Sequence, residues 1–165
     1  MPFRDNLQEK INKRLKSVAR KHYKDKKVKD VTFVGIHVRR TDHLHYMKTK
    51  FDSEPLDSDY YNDAMEYFQE EYENVVFIAA SDDMKWTRRN LDKKNNKIYF
   101  SDQNPTFHRP PEFSFELLDD DLSKAAFDFA LLTSCNHTII SRGMYSRGKK
   151  DTDPHNISPI EMRSI

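Results

Sequence analysis

The chain has 165 residues, enough for one ordinary domain with a buried core, and its eleven Phe and eight Tyr exclude a disordered polymer. Hydrophobic residues make up 36% and charged residues 33%, and no stretch approaches the roughly 18–20 apolar residues of a membrane span. A formal net charge of +1 excludes a global pull toward an acidic partner, and the single cysteine, Cys135, excludes an intrachain disulfide or a Cys-rich metal site.

The opening residues, Met1 to Asp5, show no signal-peptide core. From Asp5 to Tyr23, Leu7, Ile11, Leu15, Val18 and His22 recur every three or four residues, which predicts an amphipathic helix. Its other face is dense in Lys and Arg and reads as a solvated surface. A nucleic-acid or anionic-membrane contact is the alternative, and it would show as binding that collapses with salt. Val31–Val38 is an unbroken β-branched and aromatic run, the mark of a strand buried on both faces of a parallel sheet. Residues 43–57 are polar and mixed, contain Pro55, and read as a loop. Asp57 or Ser58 then caps a helix whose apolar stripe is Tyr61, Ala64, Met65, Phe68 and Tyr72.

A second buried strand is expected at Asn74–Ala80, followed by a short helix with Met84, Trp86 and Leu91 inward. Lys97–Phe100 is a brief third strand, residues 103–115 with Pro105, Pro110 and Pro111 a loop, Leu117–Cys135 a long helix, and His137–Ser141 a fourth strand. The alternation of helix and strand predicts an α/β fold with a parallel sheet and right-handed crossovers. Residues 1–30 then form a basic helix leading into the domain, residues 31–145 the domain itself, and residues 146–165 a polar flexible tail.

In such sheets ligands bind beyond the carboxyl ends of the strands. Four polar clusters stand there: Arg39-Arg40-Thr41-Asp42, Ser81-Asp82-Asp83, Ser101-Asp102 and Ser141-Arg142-Gly143. With only three glycines, neither a Gly-x-Gly-x-x-Gly turn nor a phosphate-cradling Walker loop is available. Any phosphate must therefore be held largely by side chains, and Arg suits that role because its planar fork binds phosphate oxygens in pairs and stays charged. Adjacent arginines at a strand end diverge, so one faces a ligand and the other pairs with a carboxylate such as Asp42 or Asp82. A purely structural ion-pair network is the competing reading. His37 shares a strand face with Arg39 but can equally be a satisfied core residue. His43 and His45 lack a persuasive carboxylate or Cys partner, so no metal site is expected. Asn136-His137-Thr138 is a glycosylation sequon at a helix-to-strand junction where burial is expected.

Val34 to Asp42, Val-Gly-Ile-His-Val-Arg-Arg-Thr-Asp, resembles the His-x-Arg-Arg-x-Asp motif of α-1,2- and α-1,6-fucosyltransferases. Tyr60–Phe68, Ser81–Trp86 and Asp128–Ile139 resemble the helix and the second and third motifs of the α-1,2 branch, in the same order along the chain. The likeness runs from about Phe3 to Tyr145.

The resemblance implies an inverting, metal-independent glycosyltransferase of the GT-B type, in which two Rossmann-like domains face across a cleft. This chain corresponds to the C-terminal, donor-binding one, with GDP-fucose as donor, a galactose-terminated glycan as acceptor and no nucleic acid. The full-length family is anchored in the Golgi membrane, by a segment that this chain does not contain. By position, Arg39 clamps the β-phosphate and neutralises departing GDP, Arg40 supports it, and His37 lines the pocket. Asp128 corresponds to a carboxylate that reads guanine, and Ser81, Asp82, His137, Ser141 and Gly143 complete the expected donor contacts. Asp42 joins the arginines as a catalytic candidate, and Asp42 or Asp82 is a candidate general base. After Gly143 the likeness weakens, and Arg147-Gly148-Lys149-Lys150 stands where the family has an apolar helix. The expectation is a sheet that ends one layer short, and a chain that either transfers fucose or only binds GDP-sugar.

Overall fold

The structure, a computed structural model, describes residues 2–52, 56–91, 97–101 and 115–140. Helix α1 spans Pro2–His22, and a single 3-10 turn, Val28–Asp30, leads into strand β1, Thr32–Val38. Two helices follow, α2 (Thr41–Phe51) and α3 (Ser58–Glu71), then β2 (Val75–Ser81) and α4 (Met84–Leu91). The described chain ends with β3 (Ile98–Phe100), α5 (Phe115–Thr133) and β4 (His137–Ile140). The four strands are all parallel, in the order β3-β2-β1-β4, so the fold is the expected α/β, Rossmann-like sheet with flanking helices. Among the described residues no helix is long and apolar enough to cross a membrane.

Side-chain alternation sends each strand's residues to two separate cores. Phe33, Val76 and Ile78 pack under α1 and α5 with Ile11, Leu15, Val18 and Leu131. Val34, Ile36, Val38, Phe77 and Ala79 pack under α3 and α4 with Tyr61, Met65, Phe68 and Leu91. All seven residues of β2 are buried, which explains why its sequence lacks any polar alternation. Cys135 lies in the first core, where burial pushes its thiol up to about 12, so it stays protonated at neutral pH.

Gly35 in β1 sets how closely α5 approaches the sheet. A Cβ there would stand 3.0 Å from Leu132 Cδ2 and 3.4 Å from Thr138 Cγ2. Gly35→Ala is therefore expected to cost about 1–3 kcal/mol through overpacking, read as a lower thermal midpoint. An unchanged or raised midpoint would show that α5 shifts freely.

Two expectations fail. Residues 43–57 are not all loop: α2 runs to Phe51, carrying His43 and His45 on a helix. The reason is a cap from a distant residue. Asp82 accepts hydrogen bonds from Arg40 N–H at 2.8 Å, Thr41 N–H at 3.2 Å and the Thr41 hydroxyl at 2.6 Å. Helix α3 begins as expected, with Asp57 accepting from Asp59 N–H and Tyr60 N–H, both at 3.1 Å. Asn136, expected to be buried, is exposed; its Oδ1 accepts from Phe33 N–H at 2.9 Å and so ties the start of β4 to β1. The proline-containing segment from 103 to 114, the expected donor contacts Ser141 and Gly143, and the tail from 146 lie outside the described residues.

Candidate functional site

The register fixes which residues meet at the carboxyl rim. Val38 pairs with Ser81, and Ala79 with Phe100, so Arg39, Asp82 and Ser101 follow at neighbouring strand ends. The turn after β2 is built from its own side chains. The Ser81 hydroxyl accepts from Asp83 N–H at 2.9 Å, and Ser81 is buried, so it shapes the turn. Asp83 accepts from Trp86 N–H at 3.0 Å and starts α4. The adjacent carboxylates Asp82 and Asp83 thus serve two different helices, α2 and α4.

The two arginines differ in exposure. Arg40 folds back: its guanidinium carbon lies 3.7 Å from the centroid of the Trp86 ring, and its Nε is 3.9 Å from Asp83 Oδ2. Its side chain is only 17% exposed. Among the described side chains its carboxylate neighbour is Asp83, while Asp82 accepts from the backbone of Arg40 and from Thr41. Such a stack over tryptophan is worth about 0.5–2 kcal/mol, and it holds the backbone that carries Arg39. Arg39 is exposed, one residue beyond β1. His37, half-buried, lies on the α1/α5 side of the sheet, since β1 alternates and Gly35 faces Leu132 and Cys135. Asp42 is the second residue of α2, and its side chain lies outside the described residues.

A helix N-terminus beside a strand end often binds phosphate through its amide groups. Here the amides of Arg40 and Thr41 already point at Asp82. Those two amides are therefore not available to an anion at the end of β1.

Asp128, on α5, is 6% exposed and accepts a short hydrogen bond from the Ser101 hydroxyl. Ser101 donates its amide to Ala79 O at 2.7 Å, so this pair closes the rim beyond β3. Two strand spacings, roughly 10 Å, separate it from β1. The sites of Asp128 and Arg39 therefore lie at two stations along one rim. His137 is not brought there. It opens β4 opposite Val34, four residues below Val38, roughly 13 Å away along the strand. Its ring packs against Phe68 and Tyr72, with centroids 5.3 and 5.0 Å away, and its position is that of a core residue at the amino end of the sheet.

Trp86 and Asp83 are the site residues that sequence reasoning undervalues. Both were legible as Asp-x-x-Trp capping spacing, but nothing in the spacing says that the ring also receives Arg40. Among the described residues no group of three or more His, Cys, Asp or Glu side chains is placed to hold a metal ion.

The profile of glycosyl transferase family 11 matches residues 1–147. Over 114 residues, 69% of this chain, the sequence is 35% identical to galactoside alpha-(1,2)-fucosyltransferase 1 of Sus scrofa, covering 27% of that protein. It is 32% identical to galactoside 2-alpha-L-fucosyltransferase SEC1 of Bos taurus (27% of that protein) and 33% identical to galactoside alpha-(1,2)-fucosyltransferase 2 of Gorilla gorilla gorilla (29%), over the same share of this chain. The chain thus matches less than a third of the length of these relatives. No solved structure matches it.

Proposed function

The chain belongs to glycosyl transferase family 11, and from that premise we propose that it forms the GDP-fucose-binding part of a galactoside α-1,2-fucosyltransferase. The observation that carries this reading is the position of Arg39, exposed one residue beyond β1 at the strand end where this fold class binds ligands, beside an Arg40 stacked on Trp86.

In the proposed reaction the hydroxyl oxygen of a galactoside attacks fucose C1 from the face opposite GDP. The new C1–O bond forms as the bond from C1 to the β-phosphate oxygen breaks, and GDP leaves with that electron pair. Negative charge grows on the departing diphosphate. A preorganised guanidinium at Arg39 stabilises that charge more in the transition state than before it, which is the condition for catalysis. The same charge is the reason to expect a metal-independent enzyme. The acceptor proton goes to a base. Asp82 already accepts three donors and acts as a brace, which leaves Asp42 or an acceptor-side residue for that step. The nucleoside lies along the rim, with its base toward Asp128, since a carboxylate is an acceptor suited to guanine N–H groups. By the same resemblance the compartment is the Golgi.

A second reading is binding of the GDP-sugar without transfer. Calorimetric titration separates the cases. GDP and GDP-fucose are expected to bind saturably, and UDP-galactose not at all. Release of GDP on adding a galactoside would show transfer. A folded chain that binds neither GDP compound would reject both readings.

A further inference from the structure

Two faces of the domain carry opposite charge. Residues 10–29, on α1 and the turn after it, hold ten Lys and Arg side chains against Asp25 alone. Residues 57–73, on and around α3, hold seven Asp and Glu and no Lys or Arg. Helix α1 covers one side of the sheet and α3 the other, so the two patches look in opposite directions.

Each patch also has shape. Between α1 and α5 lies a cavity of about 510 Å³, with Leu7, Ala126 and Phe127 contributing apolar walls and Lys10, Lys13 and Arg14 a cationic border. Arg14 is fixed there by donating to the Tyr99 hydroxyl at 2.7 Å, and Lys13 sits 2.7 Å from Glu9 on its own helix. On α3 the converse form occurs. Tyr67 is 41% exposed, a rare outward aromatic on this surface. Helical spacing puts Asp63, Glu70 and Glu71 beside it. All three are exposed.

We propose that the α1/α5 cavity of one copy receives Tyr67 from α3 of a second copy, so that the chain associates head to tail. The ring enters the apolar cavity while its carboxylate neighbours meet Lys10, Lys13 and Arg14. Because knob and hole sit on opposite faces, the contact is heterologous and adds copies in series rather than closing a two-fold dimer. A second copy is the occupant the molecule itself argues for, since one chain carries both the hole and a knob of matching sign and chemistry. Exposed ion pairs are individually weak, so the association depends on their sum and on low salt.

Sedimentation velocity on the full chain tests this. At about 0.01 M salt, where charges act over roughly 30 Å, the average mass is expected to rise with concentration to at least about twice the monomer's. At about 0.5 M salt it should return to the monomer. Tyr67→Ala is expected to remove the association. So are the reversals Glu70→Lys/Glu71→Lys and Lys10→Glu/Lys13→Glu, each alone, with circular dichroism showing a native fold. Mixing the two reversed proteins sets complementary faces against each other at both contacts and should restore the salt-sensitive association, with the two variants alternating in the row. Monomer at all salt concentrations would overturn the proposal, as would association indifferent to these substitutions. Binding of the monomer to anionic phospholipid vesicles or duplex DNA, without self-association, would assign the basic face to those partners instead.

Discussion

Arg39→Ala is expected to abolish measurable GDP-fucose binding in a chain that remains folded. Hydrogen bonds to a charged group contribute about 1.5–3 kcal/mol each, and a guanidinium meets a diphosphate with two of them. Losing both corresponds to a drop in affinity of roughly a hundredfold or more. Stability should barely change, because Arg39 is exposed and outside both cores. Arg40→Ala should show the opposite balance. Removing it strips the stack on Trp86 and leaves Asp83 without its cation, so the thermal midpoint falls first and affinity declines through loss of order. Titration calorimetry beside thermal denaturation separates the two. Equal affinity in wild type and Arg39→Ala would refute the assignment of Arg39 to the diphosphate.

Asp82→Ala is the second large effect, and here the residue acts through others. Its carboxylate gathers the amide of Arg40 and both the amide and hydroxyl of Thr41. Without it, the first turn of α2 loses its cap, at a cost of about 0.5–2 kcal/mol, and the Arg39-Arg40 turn loses its anchor. A displacement of the order of 1 Å in a binding group can cost about a hundredfold in rate, so donor use should fall at least tenfold. Asp82→Asn keeps one acceptor oxygen and should recover much of the affinity and the helix. If Asp82 were instead the base, Asp82→Asn would bind GDP-fucose normally yet transfer nothing, and the pH profile would lose its acidic limb. Recovery of both binding and turnover by Asp82→Asn, with the pH profile unchanged, is the outcome expected for a positioning residue.

The contrast between these residues explains what could be read from the sequence. β1 and β2 announced themselves as continuous apolar runs because parallel strands are covered on both faces, and α3 carried its own cap in Asp57. That the two arginines differ was legible, since neighbours at a strand end point apart. Helix α2 was not legible, because its cap comes from Asp82, some forty residues further on, and local spacing holds no trace of such a partner. The partner of Arg40 was missed for the same reason: Asp83 and Trp86 reach it only once β1 and β2 lie side by side. His137 matches a family segment by position, yet its ring is spent on Phe68 and Tyr72 at the other end of the sheet. Collinearity locates a residue on an element; it does not tell which end of that element carries chemistry.

The long-distance cap on α2 also bears on the order in which the molecule assembles. An isolated segment of eleven residues is too short to hold helical structure in water, so α2 depends on Asp82 arriving. That arrival requires β1 and β2 to be in register first, and closing the intervening loop costs chain entropy before any contact repays it. The central strand pair is therefore expected to form before α2, and the first turn of α2 at the carboxyl rim is expected to be among the last parts of the domain to become native.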